Sequence, residues 1–343
     1  MMTVNTEPII YSICPRLLRI KDSSQVGEAR RLACSLWSKL SNDELRLAQV
    51  ALIATELATN LIKHTNGAGG CLILCPVYET AALGMDILAI DQGPGIANMA
   101  EALRGGYSTT GSSGVGLGAV GRLSSVFDIF SGAGKGTGVL SRVLVPWPSE
   151  IPPALNVGAV CLPIDGEAEC GDAWAVKQAT SSTLLLLADG LGHGPNAAEA
   201  ANLAVTIFKN AALASPLELL RQIHSGLGKT RGAAVAVADI CFATQVISYA
   251  ALGNIVGRIF CGAKSQTMVG CNGTAGFEAR NIVEFCYPWP EGGRVVLHSD
   301  GLKTHWHLDD YPGLAQRHPA LIAGVLFRDH RRPHDDCLVV VAK

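Results

Sequence analysis

The chain has 343 residues, 48% of them hydrophobic and 16% charged, with 38 glycines, a composition that excludes a disordered or fibrous protein. That length leaves room for two units, each with its own core. A formal net charge of -2 gives no basic surface for nucleic acid, so the expected partner is a small molecule or another protein.

Eleven cysteines, an odd number with no C-x-x-C pair, fit neither a zinc site nor a disulfide framework. Most sit among apolar neighbours, as Cys71 and Cys75 do around Leu72, Ile73 and Leu74, which suggests core thiols in a reducing, cytoplasmic setting. The first 20 residues lack the charged start and apolar core of a secretory signal. Residues 233–252 approach the ~20 residues a membrane span needs. Asp239, Thr244, Gln245 and Ser248 interrupt them, and the β-formers Val235, Val237, Val246 and Ile247 favour two buried strands, so no membrane is expected.

Along the chain, residues 9–20 read as a strand or extended arm and residues 24–40 as a helix capped by Ser23 or Ser24. A second helix starts at the capping stretch 41–44, lays down the apolar stripe Leu45, Val50, Ile53, Leu57 and Leu61, and ends at Asn66-Gly67. Glu56 and Asn60, four apart, project from one face of it. Alone, such a pair is more often a solvated face. Two β-like runs follow, 70–78 and 81–90, and the second ends in Asp91-Gln92-Gly93-Pro94-Gly95. A short helix over 97–103 leads into the glycine-rich stretch 105–118 and a helix through Val120 and Leu123. Glycines at a helix start let backbone N–H groups approach a polyphosphate. Gly134-Lys135-Gly136-Thr137 precedes the last strand of this half.

Glu56/Asn60, Asp91-x-Gly93-x-Gly95, Gly114-x-Gly116-x-Gly118 and the Gly134 to Thr137 turn, in that order, resemble the histidine-kinase-like ATPase superfamily with the Bergerat fold, over residues 51–145. The short lid Gly106-Tyr107-Ser108-Thr109 and the stretch 116–123 look most like the anti-sigma-factor and stressosome switch serine kinases. The resemblance implies an α/β sandwich that binds ATP. Asp91 would hydrogen-bond the adenine amino group, with Gly93 and Gly95 admitting the base. Asn60 would bind Mg²⁺, and Gly114, Gly116 and Gly118 would cradle the phosphates, with Thr137 part of the nucleotide site. Glu56 would be the general base that deprotonates a substrate serine. No phospho-accepting helix pair of a sensor histidine kinase precedes this unit.

Four prolines within residues 146–153 mark a stiff linker, so the expected division is 1–145, a linker over 146–155, and 156–343. Beyond it lie short β runs at 157–162, 172–177, 184–188, 233–242, 245–251, 255–261 and 295–298, with helices at 196–214 and 216–226. That pattern predicts an antiparallel β architecture with helices on its faces. Acids fall at strand ends: Asp172, Asp189, Asp300 and the pair Asp335-Asp336. Each Asp-Gly alone is more often a turn, but hard oxygen donors without histidine or cysteine pairs suit Mg²⁺ or Mn²⁺.

Gly171-Asp172, the stretch Ala188-Asp189-Gly190-Leu191-Gly192-His193-Gly194, Gly253-Asn254, Ser299-Asp300-Gly301-Leu302 and His334-Asp335-Asp336 resemble the SpoIIE-like branch of the PPM-type protein phosphatases over residues 156–343. The resemblance implies a β-sandwich flanked by helices and two metals bridged by Asp189, with the Gly190 carbonyl, Asp172, Asp300 and Asp335 completing the site. A metal-activated water would attack phosphoserine or phosphothreonine. Two departures stand out: His193 lies four residues after Asp189, and no N-terminal arginine is placed to hold the phosphate. The expectation is an α+β, two-domain, bifunctional regulator, at once a serine kinase and a protein serine/threonine phosphatase, acting on STAS-type anti-sigma antagonist or stressosome proteins. In the alternative the chain is a phosphatase only, its first half an ATP-gated module.

Overall fold

A computed structural model describes residues 15–79, 82–104, 116–146, 155–262, 264–279 and 281–343. Gly114, the lid Gly106 to Thr109 and most of the proline-rich linker lie outside them.

The first half runs β1 (Arg16–Ile20), α1 (Ser24–Leu40), α2 (Glu44–Lys63), β2 (Gly70–Glu79), β3 (Ala82–Ile90), α3 (Met99–Arg104), α4 (Gly116–Leu123), β4 (Val126–Gly132) and β5 (Gly136–Pro146). Asp43 caps α2 by accepting the Arg46 amide, whereas Ser23 makes no side-chain cap on α1. The strands form an antiparallel sheet in the order β1-β2-β3-β5-β4. Leu72, Leu74, Ile87 and Val139 face α1 and α2, packing on Trp37, Ile53 and Leu57. Their alternate neighbours Ile73, Leu88, Ile90 and Leu140 are buried on the opposite face. Burial on both faces explains why these strands read as continuous apolar runs rather than alternating ones. Among the described residues α2 alone is long and apolar enough to cross a bilayer, yet its Val50, Ile53, Leu57 and Leu61 stripe is spent on this core.

The second half contains β6 (Val157–Leu162), β7 (Asp172–Gln178), β8 (Ser182–Gly190), α5 (Pro195–Asn210), α6 (Pro216–Gly226), β9 (Ala233–Cys241), β10 (Val246–Leu252), β11 (Val256–Cys261), β12 (Lys264–Met268), β13 (Glu284–Pro288), β14 (Arg294–His298), α7 (Pro319–His330) and β15 (Cys337–Ala342). Two antiparallel sheets, β13-β10-β9-β8-β7 and β12-β11-β14-β15-β6, stack through Leu185, Leu187, Ala236 and Tyr249 against Val295, Leu297, Leu338 and Val340. The helices α5 and α6 cover the outer face of the first of these. The helix read from sequence over 196–214 stops at Asn210, before the Pro216 turn.

The helix α7 has no counterpart among the elements expected from the sequence. Its residues from Pro319 to Phe327 are all buried, because it lies between two sheets: Leu321, Ile322, Val325 and Leu326 join Ile73, Leu88, Ile90 and Leu140 on one side and Val160, Leu162, Val339 and Val341 on the other. A helix apolar on every side has no amphipathic period to detect. Glycines permit the close approach. A side-chain carbon on Gly158 would sit 2.1 Å from the Ala320 nitrogen, and one on Gly138 would sit 2.9 Å from Leu321. The layers therefore run α1/α2, sheet, α7, sheet, sheet, α5/α6.

Candidate functional site

Antiparallel pairing sets Asp172, first residue of β7, directly opposite Asp189, near the end of β8. Asp300 follows β14 and Asp335 precedes β15, which are neighbours in the other sheet. The four carboxylates thus meet at one end of the stacked sheets. Burial and the charge of Asp189 push Asp172 well above the usual carboxylate range. Burial with the charges of Asp300 and Asp335 raises Asp189 to about 7, and burial with the neighbouring Asp300 raises Asp335 to about 6. Acids that resist ionising for want of a counter-charge form a hard-oxygen site suited to a divalent cation. As placed, no three His, Cys, Asp or Glu side chains among the described residues converge on a single point.

Supporting contacts fix these acids. The Ser299 hydroxyl donates to Asp172 (2.7 Å) and accepts the Leu338 amide (3.0 Å). Asn254 donates its side-chain amide to Asp300 (2.6 Å). Asp336, beside Asp335 but turned away, accepts the Ile164 and Gly171 amides at 2.8 and 2.9 Å. It ties down the turn that delivers Asp172. Gly301 passes so close to Asp336 that a side-chain carbon there would lie 1.7 Å from the carbonyl oxygen, and one on Gly190 would lie 2.1 Å from the Ala197 carbonyl. His193 turns its Nδ1 to Glu167 (3.0 Å), and His330 pairs with the Tyr311 hydroxyl (2.9 Å). The imidazoles do not gather into a second metal centre among the described residues.

In the first half, Asp91 closes β3 and accepts the amides of Gly93 (2.7 Å) and Thr137 (3.2 Å) with the same oxygen. Burial raises its pKa and these amides pull it back. Thr137 shares a hydrogen bond with Ser131 (3.0 Å), which also takes the Ile96 amide (2.7 Å). Gly95 holds φ +84°, and a side-chain carbon on it would sit 2.3 Å from the Gly132 carbonyl. One on Gly93 would lie 3.2 Å from the Thr65 backbone, so the loop rests against the end of α2, the helix bearing Glu56 and Asn60. Gly116 and Gly118 form the first turn of α4.

Residues 21–141 match the family described as histidine kinase-like ATPase domain, and residues 180–343 match Stage II sporulation protein E (SpoIIE). A curated relative, the serine/threonine-protein kinase RsbT of Bacillus subtilis (strain 168), is 32% identical over 120 residues, 35% of this chain and 89% of that protein. A solved structure from work on the bacterial stressosome, described as a modular system adapted to control secondary messenger signaling, is 27% identical at a TM-score of 0.52, covering 55% of this chain and 99% of its own. The chain joins a histidine kinase-like ATPase domain to a SpoIIE-type phosphatase domain.

In the SpoIIE-type domain one basic residue stands at the site without any signal in the sequence. Arg231 is exposed at the head of β9, where Gly232 accepts the Leu191 amide (3.0 Å) and Asp189 pairs with Ala234. Its guanidinium stands over the loop after Asp189: a side-chain carbon on Gly192 would be 3.4 Å from it. Strand pairing, not sequence proximity, brings it there. The ATPase domain likewise receives a residue from elsewhere in the chain. Arg328 of α7 donates to the Asp91 carbonyl (2.7 Å) and grips Asp329 through two nitrogens.

Proposed function

We propose that the chain is a partner-switching regulator that removes phosphate from phosphoserine or phosphothreonine of a STAS-type protein and transfers phosphate from ATP to a serine of such a protein. The observation that carries the hydrolytic half is the meeting of Asp172, Asp189, Asp300 and Asp335 at one end of the sheets with raised pKa values. Asp172, Asp189, Asp300, Asp335 and the Gly190 carbonyl would hold two Mn²⁺ or Mg²⁺ ions. Such ions supply a water deprotonated near neutral pH for in-line attack. Arg231 would orient the phosphate oxygens with its guanidinium fork.

In the ATPase domain Asp91 would accept from the adenine amino group, Gly93 and Gly95 would admit the ring, and Asn60 would hold the nucleotide's Mg²⁺. Gly116 and Gly118, with Gly114, would offer amides to the phosphates beside Thr137, and Glu56 would take the serine proton. The kinship with RsbT and with a stressosome structure supports a kinase role and a STAS-type partner. Ten described cysteines, all free thiols, support a cytoplasmic setting.

The test is incubation with ATP, Mn²⁺ and the STAS proteins of the same cell, with serine phosphorylation followed by mass. Asp189→Ala should abolish removal and spare transfer, and Glu56→Ala the reverse. Neither transfer nor removal on any of them would overturn the proposal. The Arg328 contact to Asp91 favours one second reading, in which the ATPase domain binds ATP without transferring phosphate and gates the phosphatase.

A further inference from the structure

The face of the ATPase sheet opposite α1 and α2 ends at Asp91, whose side chain serves the nucleotide loop while its backbone carbonyl points the other way. That carbonyl is taken by Arg328, whose side chain is only 6% exposed. A side-chain carbon on Gly136, the neighbouring strand start, would sit 2.9 Å from the same guanidinium. Gln92, next to Asp91, donates to Asp329 (3.2 Å), and the Tyr311 hydroxyl donates to the other oxygen of that carboxylate (2.9 Å). The root of the nucleotide loop, at Asp91 and Gln92, is therefore held by a helix of the other domain.

The same helix end is fastened to the metal-site loops. The Lys303 amide donates to the His330 carbonyl (2.9 Å) and the Arg332 amide to Gly301 (2.7 Å), a short ladder one residue past Asp300. Arg331 reaches the Pro163 carbonyl (3.2 Å) and Asp165 (3.0 Å), close to where Asp336 holds Ile164. Asp335 follows within four residues of Arg331. A shift of α7 along its axis would move Asp91 and the 300–303 and 331–336 segments together.

We propose that Arg328 is a positioning residue of the nucleotide site supplied by the phosphatase domain, and that it couples nucleotide at Asp91 to the conformation of the Asp300 and Asp335 loops. This rests on the reading that the ATPase domain binds adenine nucleotide at Asp91. Coupling is reciprocal: whatever the nucleotide does to the metal-site loops, metal binding does to nucleotide affinity by the same factor.

The experiment uses the full chain with ADP as probe, read by calorimetric titration and by amide hydrogen exchange with and without ADP. Wild type should bind ADP, with altered exchange at Leu302, Lys303 and Arg332 as well as at Gly93 and Ile96. Arg328→Ala should weaken ADP by about tenfold and confine the exchange change to the nucleotide loop. Arg328→Lys, which keeps one donor, should recover part of both. Should Arg328→Ala fail to fold, Gln92→Ala, an exposed change on the same link, should weaken the long-range exchange change in its place. A wild type that does not bind ADP overturns the nucleotide reading itself. A wild type that binds ADP without any exchange change at 300–303 or 331–336, or an Arg328→Ala chain with unaltered affinity and unaltered spread, overturns the coupling.

Discussion

At the scale of single residues, the acidic end of the sheets carries a cost in stability. Asp189 and Asp335 have raised folded pKa values, about 7 and about 6, so in the metal-free chain they oppose folding once ionised. The sign follows: the unfolded carboxylates lose their protons near pH 4, the folded ones later, so metal-free stability falls as pH rises from about 4 to about 7. Asp189→Asn should therefore raise the melting temperature of the metal-free chain at pH 8, by roughly 1–3 kcal/mol in stability, while abolishing phosphate removal. A melting temperature that drops would show that the repulsion is not there. The same groups predict that Mn²⁺ affinity, measured by titration calorimetry, declines as pH falls through about 7 to 6, with protons released on binding.

At the scale of elements, α7 is the member on which both domains depend. Leu321→Ala should cost about 2–5 kcal/mol, since the side chain is fully buried between two sheets and a cavity there opens against both. Chemical denaturation measures it. At the helix start, His318 caps the Ala320 amide and its own amide donates to Asp128 (2.6 Å), beside the buried Asp86–Arg142 pair. Burial and Arg142 lower its pKa to about 4. Stability from keeping it neutral is present above about pH 6.5 and lost as pH falls to about 4, up to about 3 kcal/mol. His318→Gln should flatten that limb of the pH profile, and an unchanged limb would assign it to buried His298, lowered to about 4 as well.

Elements and site differ in how much of them the sequence carried. Strand ends were legible because an aspartate and glycine after an apolar run, as at Leu184 to Gly190, mark where a buried strand stops. The residue pattern alone leaves Asp335 and Asp336 side by side and the resemblance favours Asp335; that Asp336 spends its carboxylate on the amides of Ile164 and Gly171 is visible only in the fold. Arg231 and Arg328 were invisible for a different reason: each reaches a loop far away in sequence, through pairing and packing that no local pattern encodes. The apolar run of α7 was present in plain sight without a period to name it.

At the scale of the molecule, the two domains share a layer rather than meet at a seam. A helix whose sides serve two sheets makes unfolding of one domain expose the core of the other, so scanning calorimetry should give one cooperative transition. Two well-separated transitions would show that α7 does not join them. Sharing a layer also has a bearing on how the chain is made. The ATPase sheet is complete at Pro146, while the helix that covers Ile73, Leu88, Ile90 and Leu140 is not synthesised until residues 319–330. At ~5–20 residues per second, that apolar face waits roughly ten to forty seconds for its cover. During synthesis the first domain is therefore an unfinished surface, open to association through that apolar face until α7 arrives.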